Sequence, residues 1–318
     1  MLLNRPGRYS EILQGGGFEV VYPPTGADRK DPATLLRMLD GVDAILASVE
    51  PLTRDILSQS QLRVVARSGV GYDSVDVTAA TDLGIVVTIA PGEVEKSAAE
   101  HAIALLLCLT RGLVERDQNV RAGRWVIRAR PRIAGKTIGI VGLGRIGKEM
   151  AKRAVGLGME VIAYDPLPDQ EFADAQGVAL CSFDELLATA DVVSLHLPTT
   201  PETADIINAD ALAKMKKGAI FVNTSRGATV DEDALCDALS NGHLFGAALD
   251  VFKQEPLPLD SPLLQLDNVV LCTHLGGLDN VSEVAMPATA AQCIVDLYEG
   301  RWPEACVINK ELRDGWSW

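Results

Sequence analysis

The sequence predicts an α/β protein made of two doubly wound parallel-sheet domains, and three observations lead there. Short apolar runs rich in Val and Ile alternate with polar, helix-period segments along nearly the whole chain, the rhythm of parallel strands joined by crossover helices. A chain of 318 residues is long enough for about two domains. The stretch Thr137–Pro166, TIGIVGLGRIGKEMAKRAVGLGMEVIAYDP, is by itself one strand–helix–strand unit.

Taken in order, Phe18–Tyr22, Ala44–Ser48, Leu62–Arg67 and Gly84–Thr88 read as strands separated by helical segments. A strand is also expected before the first helix, and only Met1–Asn4 is available for it. Two loops follow strands here. In Ser68-Gly69-Val70-Gly71-Tyr72-Asp73 the glycines leave backbone N–H groups open to an anion, and Ala90-Pro91-Gly92-Glu93 follows the next strand. A plain turn is an equal reading of either. At Ser97 the pattern changes to a long helical run, SAAEHAIALLLCLTRGLVERDQNVRAGRW, with Ser97 and Glu100 spaced as a capping box. Its apolar residues exceed one surface-helix face, so part of it should pack against another domain or subunit. The domain boundary is placed there: residues 1–96 with 291–318 form one domain, and 97–290 the other.

The second domain opens on the glycine stretch. In a dinucleotide site Gly142 makes the tight turn, Gly144 lets the backbone approach a pyrophosphate, and Gly147 lets the helix lie close to the strand. The helix N-terminus then offers unpaired N–H groups and a partial positive charge. Asp165 ends the second strand, where a carboxylate accepts bonds from a ribose diol and repels a 2′-phosphate. This is the pattern of a Rossmann domain that takes NAD in preference to NADP. Further strands follow at Asp191–Leu197, Ala219–Thr224, Ala247–Phe252 and Val269–Thr273, six in all, and Val281–Gly300 reads as a helix that leaves this domain.

Ligands of such a sheet sit beyond the carboxyl ends of its strands. Three residues there carry chemistry: Arg226 after VNTS, Glu255 in DVFKQEP and His274 after VVLCT. Arg226 offers a planar fork for a carboxylate, His274 exchanges a proton near neutral pH, and Glu255 can orient the imidazole and favour its charged form. Together they describe hydride chemistry on a carboxylate-bearing alcohol or ketone. The other histidines read more plainly. His101 is a packing or interdomain residue, His196 lies near the expected adenine end, and His243 sits in an Asn-Gly turn.

The composition narrows the partners. A formal net charge of −14 leaves no broad basic face for nucleic acid or an anionic membrane. The six cysteines are scattered without a CxxC pair, so no disulfide framework and no metal site is suggested. Neither a membrane span nor a signal-peptide apolar region is found, and a cytoplasmic location is expected.

The chain resembles the D-isomer-specific 2-hydroxyacid dehydrogenase family, which includes 3-phosphoglycerate dehydrogenases and glyoxylate/hydroxypyruvate reductases. The resemblance rests on RSGVGYDSVD (67–76), SAAEHAIALLL (97–107), GKTIGIVGLGRIG (135–147), SLHLPTTPET (194–203), MKKGAIFVNTSRGATVDEDAL (215–235), ALDVFKQEP (248–256) and THLGG (273–277). It implies a Rossmann domain inserted into a flavodoxin-like substrate domain, with the active site in the cleft between them. Arg226 resembles the substrate-carboxylate arginine, His274 the acid/base and Glu255 its partner. The backbone of Ser68, Gly69, Val70 and Gly71 resembles a second carboxylate clamp, and Asp250 the aspartate that holds the nicotinamide carboxamide. Arg145 and Ile146 resemble pyrophosphate contacts. Pro198, Thr199, Thr203, Thr224 and Gly276 resemble further cofactor contacts. The resemblance also implies a homodimer joined through the helix from Ser97.

There are departures. Thr273 stands where many members have Pro before the catalytic histidine, and Gly276-Gly277 leaves a bare wall after it. The chain stops at Trp318 without the regulatory domain of longer phosphoglycerate dehydrogenases, so serine feedback is not expected. Two alternatives share the scaffold: a cofactor-sensing, corepressor-like binding protein, and a formate or phosphite dehydrogenase. Glu255 counts against the formate branch, which pairs its histidine with Gln.

Overall fold

The computed structural model describes residues 5–92 and 94–318; the strand expected at Met1–Asn4 lies outside the described residues. The chain divides into two compact units, 1–94 with 278–318, and 95–277. The sequence boundary at 290/291 therefore differs from the structural one at 277/278.

The first unit holds α1 (Arg8–Gly15), α2 (Pro32–Leu39), β1 (Ala44–Ala47), α3 (Arg54–Gln59), β2 (Val64–Arg67), α4 (Val77–Asp82) and β3 (Val86–Thr88). Its sheet is parallel in the order β1-β2-β3, with Ala44 opposite Val64 and Val64 opposite Val86. The strands are continuous apolar runs because both faces are covered. Leu35, Leu57, Val65 and Val87 share one core, while Val64, Ala66 and Val86 share another with Leu13 and Ile294.

Phe18–Tyr22 is not a strand. It runs without ladder bonds, and with Ala44–Leu46 of β1 it lines a cavity of about 1190 Å³. An apolar alternation becomes a strand only when a neighbour supplies the second half of each hydrogen bond, and no described residue does so here.

The second unit begins with α5 (Val94–Arg111) and α6 (Leu113–Arg121). The expected single run from Ser97 thus starts earlier and breaks at Gly112, whose φ of +59° turns the chain by 58°. The apolar face of α5 (Ala99, Ala102, Leu106) is buried with Ile138 and Ile140, whereas α6 buries no residue at all. Beyond α6, Trp125 is 83% and Ile127 91% exposed. No single helix among the described residues is long and apolar enough to cross a membrane.

There follow β4 (Thr137–Val141), α7 (Arg145–Gly156), β5 (Glu160–Tyr164), α8 (Gln170–Gln176), β6 (Ala179–Leu180), α9 (Phe183–Thr189), β7 (Val192–Leu195), α10 (Ala209–Lys214), β8 (Ile220–Asn223), α11 (Glu232–Ser240), β9 (Gly246–Leu249) and β10 (Val269–Leu271). The sheet has seven strands, all parallel, in the order β10-β9-β8-β7-β4-β5-β6. Six were expected; the seventh, β6, is two residues long and too short to leave a periodic signal. At β4 the order in which strands are added reverses, with β5 on one side and β7 on the other, which opens a ligand crevice at its carboxyl end.

The last helix, α12 (Ser282–Tyr298), belongs to the first unit and packs on α1, β1 and β2. Its buried Ala288, Ala290, Ala291, Ile294 and Val295 form one continuous face, which is why the chain does not change units in mid-helix at residue 290.

Candidate active site

The glycine loop after β4 has a distinct steric demand at each position. Gly142 takes φ +95°, and a Cβ there would lie 2.9 Å from the His196 carbonyl oxygen. A Cβ on Gly147 would lie 2.0 Å from the Gly142 oxygen, so α7 can start this close to the turn only with glycine. A Cβ on Gly144 would meet nothing within 4 Å, and that exposed side is where a pyrophosphate can approach the backbone. Arg145 and Ile146 open α7 beside it.

Asp165 stands just beyond β5 and is fixed by two backbone bonds. Its Oδ2 accepts the Leu143 N–H at 2.8 Å and its Oδ1 the Leu167 N–H at 2.8 Å. The carboxylate is thereby tied to the glycine loop itself. After β7, Thr203 Oγ1 donates to the Pro198 carbonyl at 2.6 Å and accepts the Thr200 N–H at 2.7 Å, closing the loop that carries Thr199. Two enclosed polar atoms at these strand ends have no protein partner: His196 Nδ1 and Thr224 Oγ1. With the glycine cradle, they fit a dinucleotide, which can supply bonds that the protein leaves unmade.

Beyond β9 and β10 lies a second cluster. Asp250 is buried; its Oδ1 accepts from Leu275 N at 3.0 Å and lies 3.2 Å from His101 Nε2, while its Oδ2 accepts from Gly276 N at 2.7 Å. Burial pushes the Asp250 carboxyl up, but the bonds from His101, Leu275 and Gly276 outweigh it and hold the group below the usual carboxylate range.

His274 follows with φ +56°, a left-handed conformation that histidine tolerates better than most side chains. Its N–H donates to the Asp250 carbonyl at 2.7 Å, and its Nδ1 lies 2.6 Å from Glu255 Oε2. Glu255 Oε1 accepts the Phe252 N–H at 3.0 Å. Burial raises the Glu255 pKa, and the bonds from His274 and Phe252 more than reverse this, leaving it lowered.

Arg226 follows β8 in a loop held from within. Its carbonyl accepts from Asn223 Nδ2 at 2.9 Å and from Thr229 Oγ1 at 2.6 Å. A Cβ on Gly227 would lie 1.9 Å from the Phe252 carbonyl carbon, so this loop presses on the backbone that begins the Glu255 loop. Thus Arg226, Asp250, Glu255, His274 and Gly276 all come to the carboxyl ends of adjacent strands β8, β9 and β10.

Ser68–Gly71 belongs to the first unit. The Ser68 N–H is used on Ala47 O at 2.9 Å, and the Gly69 carbonyl accepts from Ala90 N at 2.9 Å. The N–H groups of Gly69, Val70 and Gly71 have no partner among the described residues. His243 bonds the Leu212 carbonyl at 2.9 Å and is a structural turn residue. Sequence reasoning missed His101 as a partner of Asp250, because the two lie far apart in the chain and nothing in a helical pattern names the strand end it faces.

Residues 103–276 match the family model described as "D-isomer specific 2-hydroxyacid dehydrogenase, NAD binding domain". The chain belongs to the D-isomer specific 2-hydroxyacid dehydrogenase family. This family member is 48% identical over 253 residues to a D-3-phosphoglycerate dehydrogenase of Mycobacterium leprae, covering 78% of this chain and 48% of that protein. It is 39% identical over 286 residues to a glyoxylate reductase of Korarchaeum cryptofilum, covering 87% and 86%. Among solved structures it resembles the TT0316 protein from Thermus thermophilus, with a TM-score of 0.82 and 37% identity over 95% of this chain and 97% of that one. The chain spans about half the length of most of the phosphoglycerate dehydrogenases it matches.

Proposed function

We propose that this family member is an NAD-dependent oxidoreductase that interconverts a D-2-hydroxy acid and its 2-keto acid, of the 3-phosphoglycerate, glyoxylate or hydroxypyruvate class. The observation that carries this is the His274–Glu255 pair at the carboxyl end of the nucleotide-binding sheet, with Arg226 on a neighbouring strand end. NAD, when bound, would supply the hydride acceptor for oxidation and, in its reduced form, the hydride donor for reduction. Gly142, Gly144, Arg145, Ile146 and Gly147 would hold the pyrophosphate, and Asp165 the adenosine ribose. Pro198, Thr199, Thr203, Thr224 and Gly276 would line the rest of the cofactor, with Asp250 at the carboxamide. Arg226 would clamp the substrate carboxylate, helped by the N–H groups of Gly69, Val70 and Gly71 and by Ser68. His274 takes the hydroxyl proton during oxidation and gives it back during reduction, and Glu255 fixes the ring for that exchange.

The likeness to named glyoxylate reductases and phosphoglycerate dehydrogenases supports this reading. A cytoplasmic homodimer is part of it: Leu113, Val114, Val120, Trp125 and Ile127 are exposed apolar side chains on and just after α6 that a second copy would cover. The test is NADH oxidation with glyoxylate, hydroxypyruvate, pyruvate and 3-phosphohydroxypyruvate. Turnover with at least one is expected. NADH binding without turnover of any would make the chain a cofactor sensor instead.

A further inference from the structure

His101, Asp250 and Cys272 reach one point from three different elements. Asp250 and Cys272 stand just past the paired ends of β9 and β10, where Leu249 is opposite Leu271 and the Cys272 N–H donates to the Leu249 carbonyl at 2.8 Å. His101 comes from α5. The imidazole nitrogen, carboxylate oxygen and thiol sulfur all lie within 4.8 Å of one another. Gly276 keeps the spot open on its flank, since a Cβ there would lie 2.9 Å from Asp250 Oδ2 and 3.5 Å from the His101 ring.

We propose that this cluster is a binding site for a zinc-class divalent cation, held by His101 Nε2, Asp250 Oδ1 and Cys272 Sγ. Tetrahedral bonds of about 2.0–2.3 Å put neighbouring donors roughly 3.3–3.8 Å apart. The 3.2 Å between Nε2 and Oδ1 falls within about 0.1 Å of that spacing, and the sulfur needs at most about 1 Å of approach. At Nε2 and Oδ1 the ion takes the place of the hydrogen bond between them, the neutral imidazole then carrying its proton on Nδ1. Leu275 and Gly276 go on holding the carboxylate, as backbone donors orient ligands in other metal sites. One carboxylate, one thiolate and one neutral imidazole cancel a 2+ charge, which a partly buried pocket requires. Sulfur and imidazole together select zinc or cobalt over magnesium and calcium. Burial and the nearby Asp250 carboxylate push the Cys272 thiol up, so the ion must displace its proton, which passes to solvent. The linear sequence hides the site because its three donors are far apart and share no short motif.

The consequence for the cofactor rests on the function proposed above. Asp250 is there assigned to the carboxamide, so metal and NAD contend for the same carboxylate.

The test is titration of the whole, cofactor-free chain with Co²⁺. Expected are intense visible bands of a tetrahedral ion and a near-ultraviolet thiolate-to-cobalt charge-transfer band, saturating at one ion and erased by zinc. The charge-transfer band should vanish in Cys272→Ser, and His101→Gln should weaken binding at least tenfold while keeping it. In the unsubstituted protein, zinc should shield Cys272 from alkylation, read by peptide mass, which needs no variant to fold. Absence of the charge-transfer band, its persistence in Cys272→Ser, or equal alkylation with and without zinc would overturn the site. With the band present, an unchanged NAD affinity of the cobalt protein would instead remove Asp250 from the cofactor role and leave the metal site supported.

Discussion

Glu255 grips His274 with one oxygen and its own loop with the other: Oε2 lies 2.6 Å from the imidazole Nδ1, and Oε1 accepts the Phe252 N–H at 3.0 Å. The ring is therefore oriented by a carboxylate that is itself anchored, and Nε2 is the nitrogen left to face a reacting oxygen. Replacing His274 by Ala should lower kcat by roughly 10²–10⁴-fold, the range for a positioned acid/base. Glu255→Gln keeps an acceptor but removes the charge, so kcat should fall by about tenfold or more with KM little changed. Steady-state kinetics in both directions checks this; a Gln variant equal to the parent would end the partnership.

Arg226 is proposed to meet the substrate carboxylate with two parallel bonds, a geometry that lysine cannot copy. Arg226→Lys should cost at least tenfold in kcat/KM, in line with about 1.5–3 kcal/mol for a lost charged hydrogen bond. Parent-like kinetics in this variant would make the guanidinium a structural charge.

Asp165 bears on cofactor choice through charge and through its bond to Leu143 N at 2.8 Å. Asp165→Ser removes the repulsion toward a 2′-phosphate, so the preference for NADH over NADPH should narrow by at least tenfold. Kd values from nucleotide fluorescence test this, and an unaltered ratio would place discrimination elsewhere.

His196 links folding to pH. Burial lowers its pKa from 6.5 to about 4. The unfolded chain takes up this proton near pH 6.5 and the folded chain only near 4, so stability is full above 6.5 and declines as pH falls between those values. At about 1.4 kcal/mol per unit the loss is at most about 3.5 kcal/mol, an upper bound because the residue is only partly buried. Denaturant unfolding of the parent and His196→Asn from pH 7 to 4 should show a flatter profile in the variant. Identical slopes would mean that the folded protein accommodates the charged ring.

Much of this was legible in the chain because the responsible signals are local. The glycine spacing, the apolar runs of β4 and β5 and the acid at 165 all lie within one strand–helix–strand unit, where a few residues determine the backbone. The placement of Arg226, Glu255 and His274 after three strands was legible for the same reason. Long-range relations were not. Phe18–Tyr22 has a strand's pattern but no neighbour to pair with, and the reach of His101 to Asp250 spans 149 residues. The break at Gly112 was missed because one glycine in a helical pattern is often tolerated, and only its positive φ reveals the turn.

Asn309 ties the far end of the chain into the sheet of the first unit. Its Oδ1 accepts the Val87 N–H at 2.9 Å, its Nδ2 donates to the Ile85 carbonyl at 2.9 Å, and Val307 bridges Thr88 beside it. The two Asn309 bonds join residues 222 and 224 positions apart. During synthesis, residues 95–277 leave the ribosome as one uninterrupted block, ahead of α12 and the Asn309 segment that complete the first unit. The usual order, in which the N-terminal part folds first, is therefore inverted here: the nucleotide-binding unit can close its core while the segment before it still waits for the one after it.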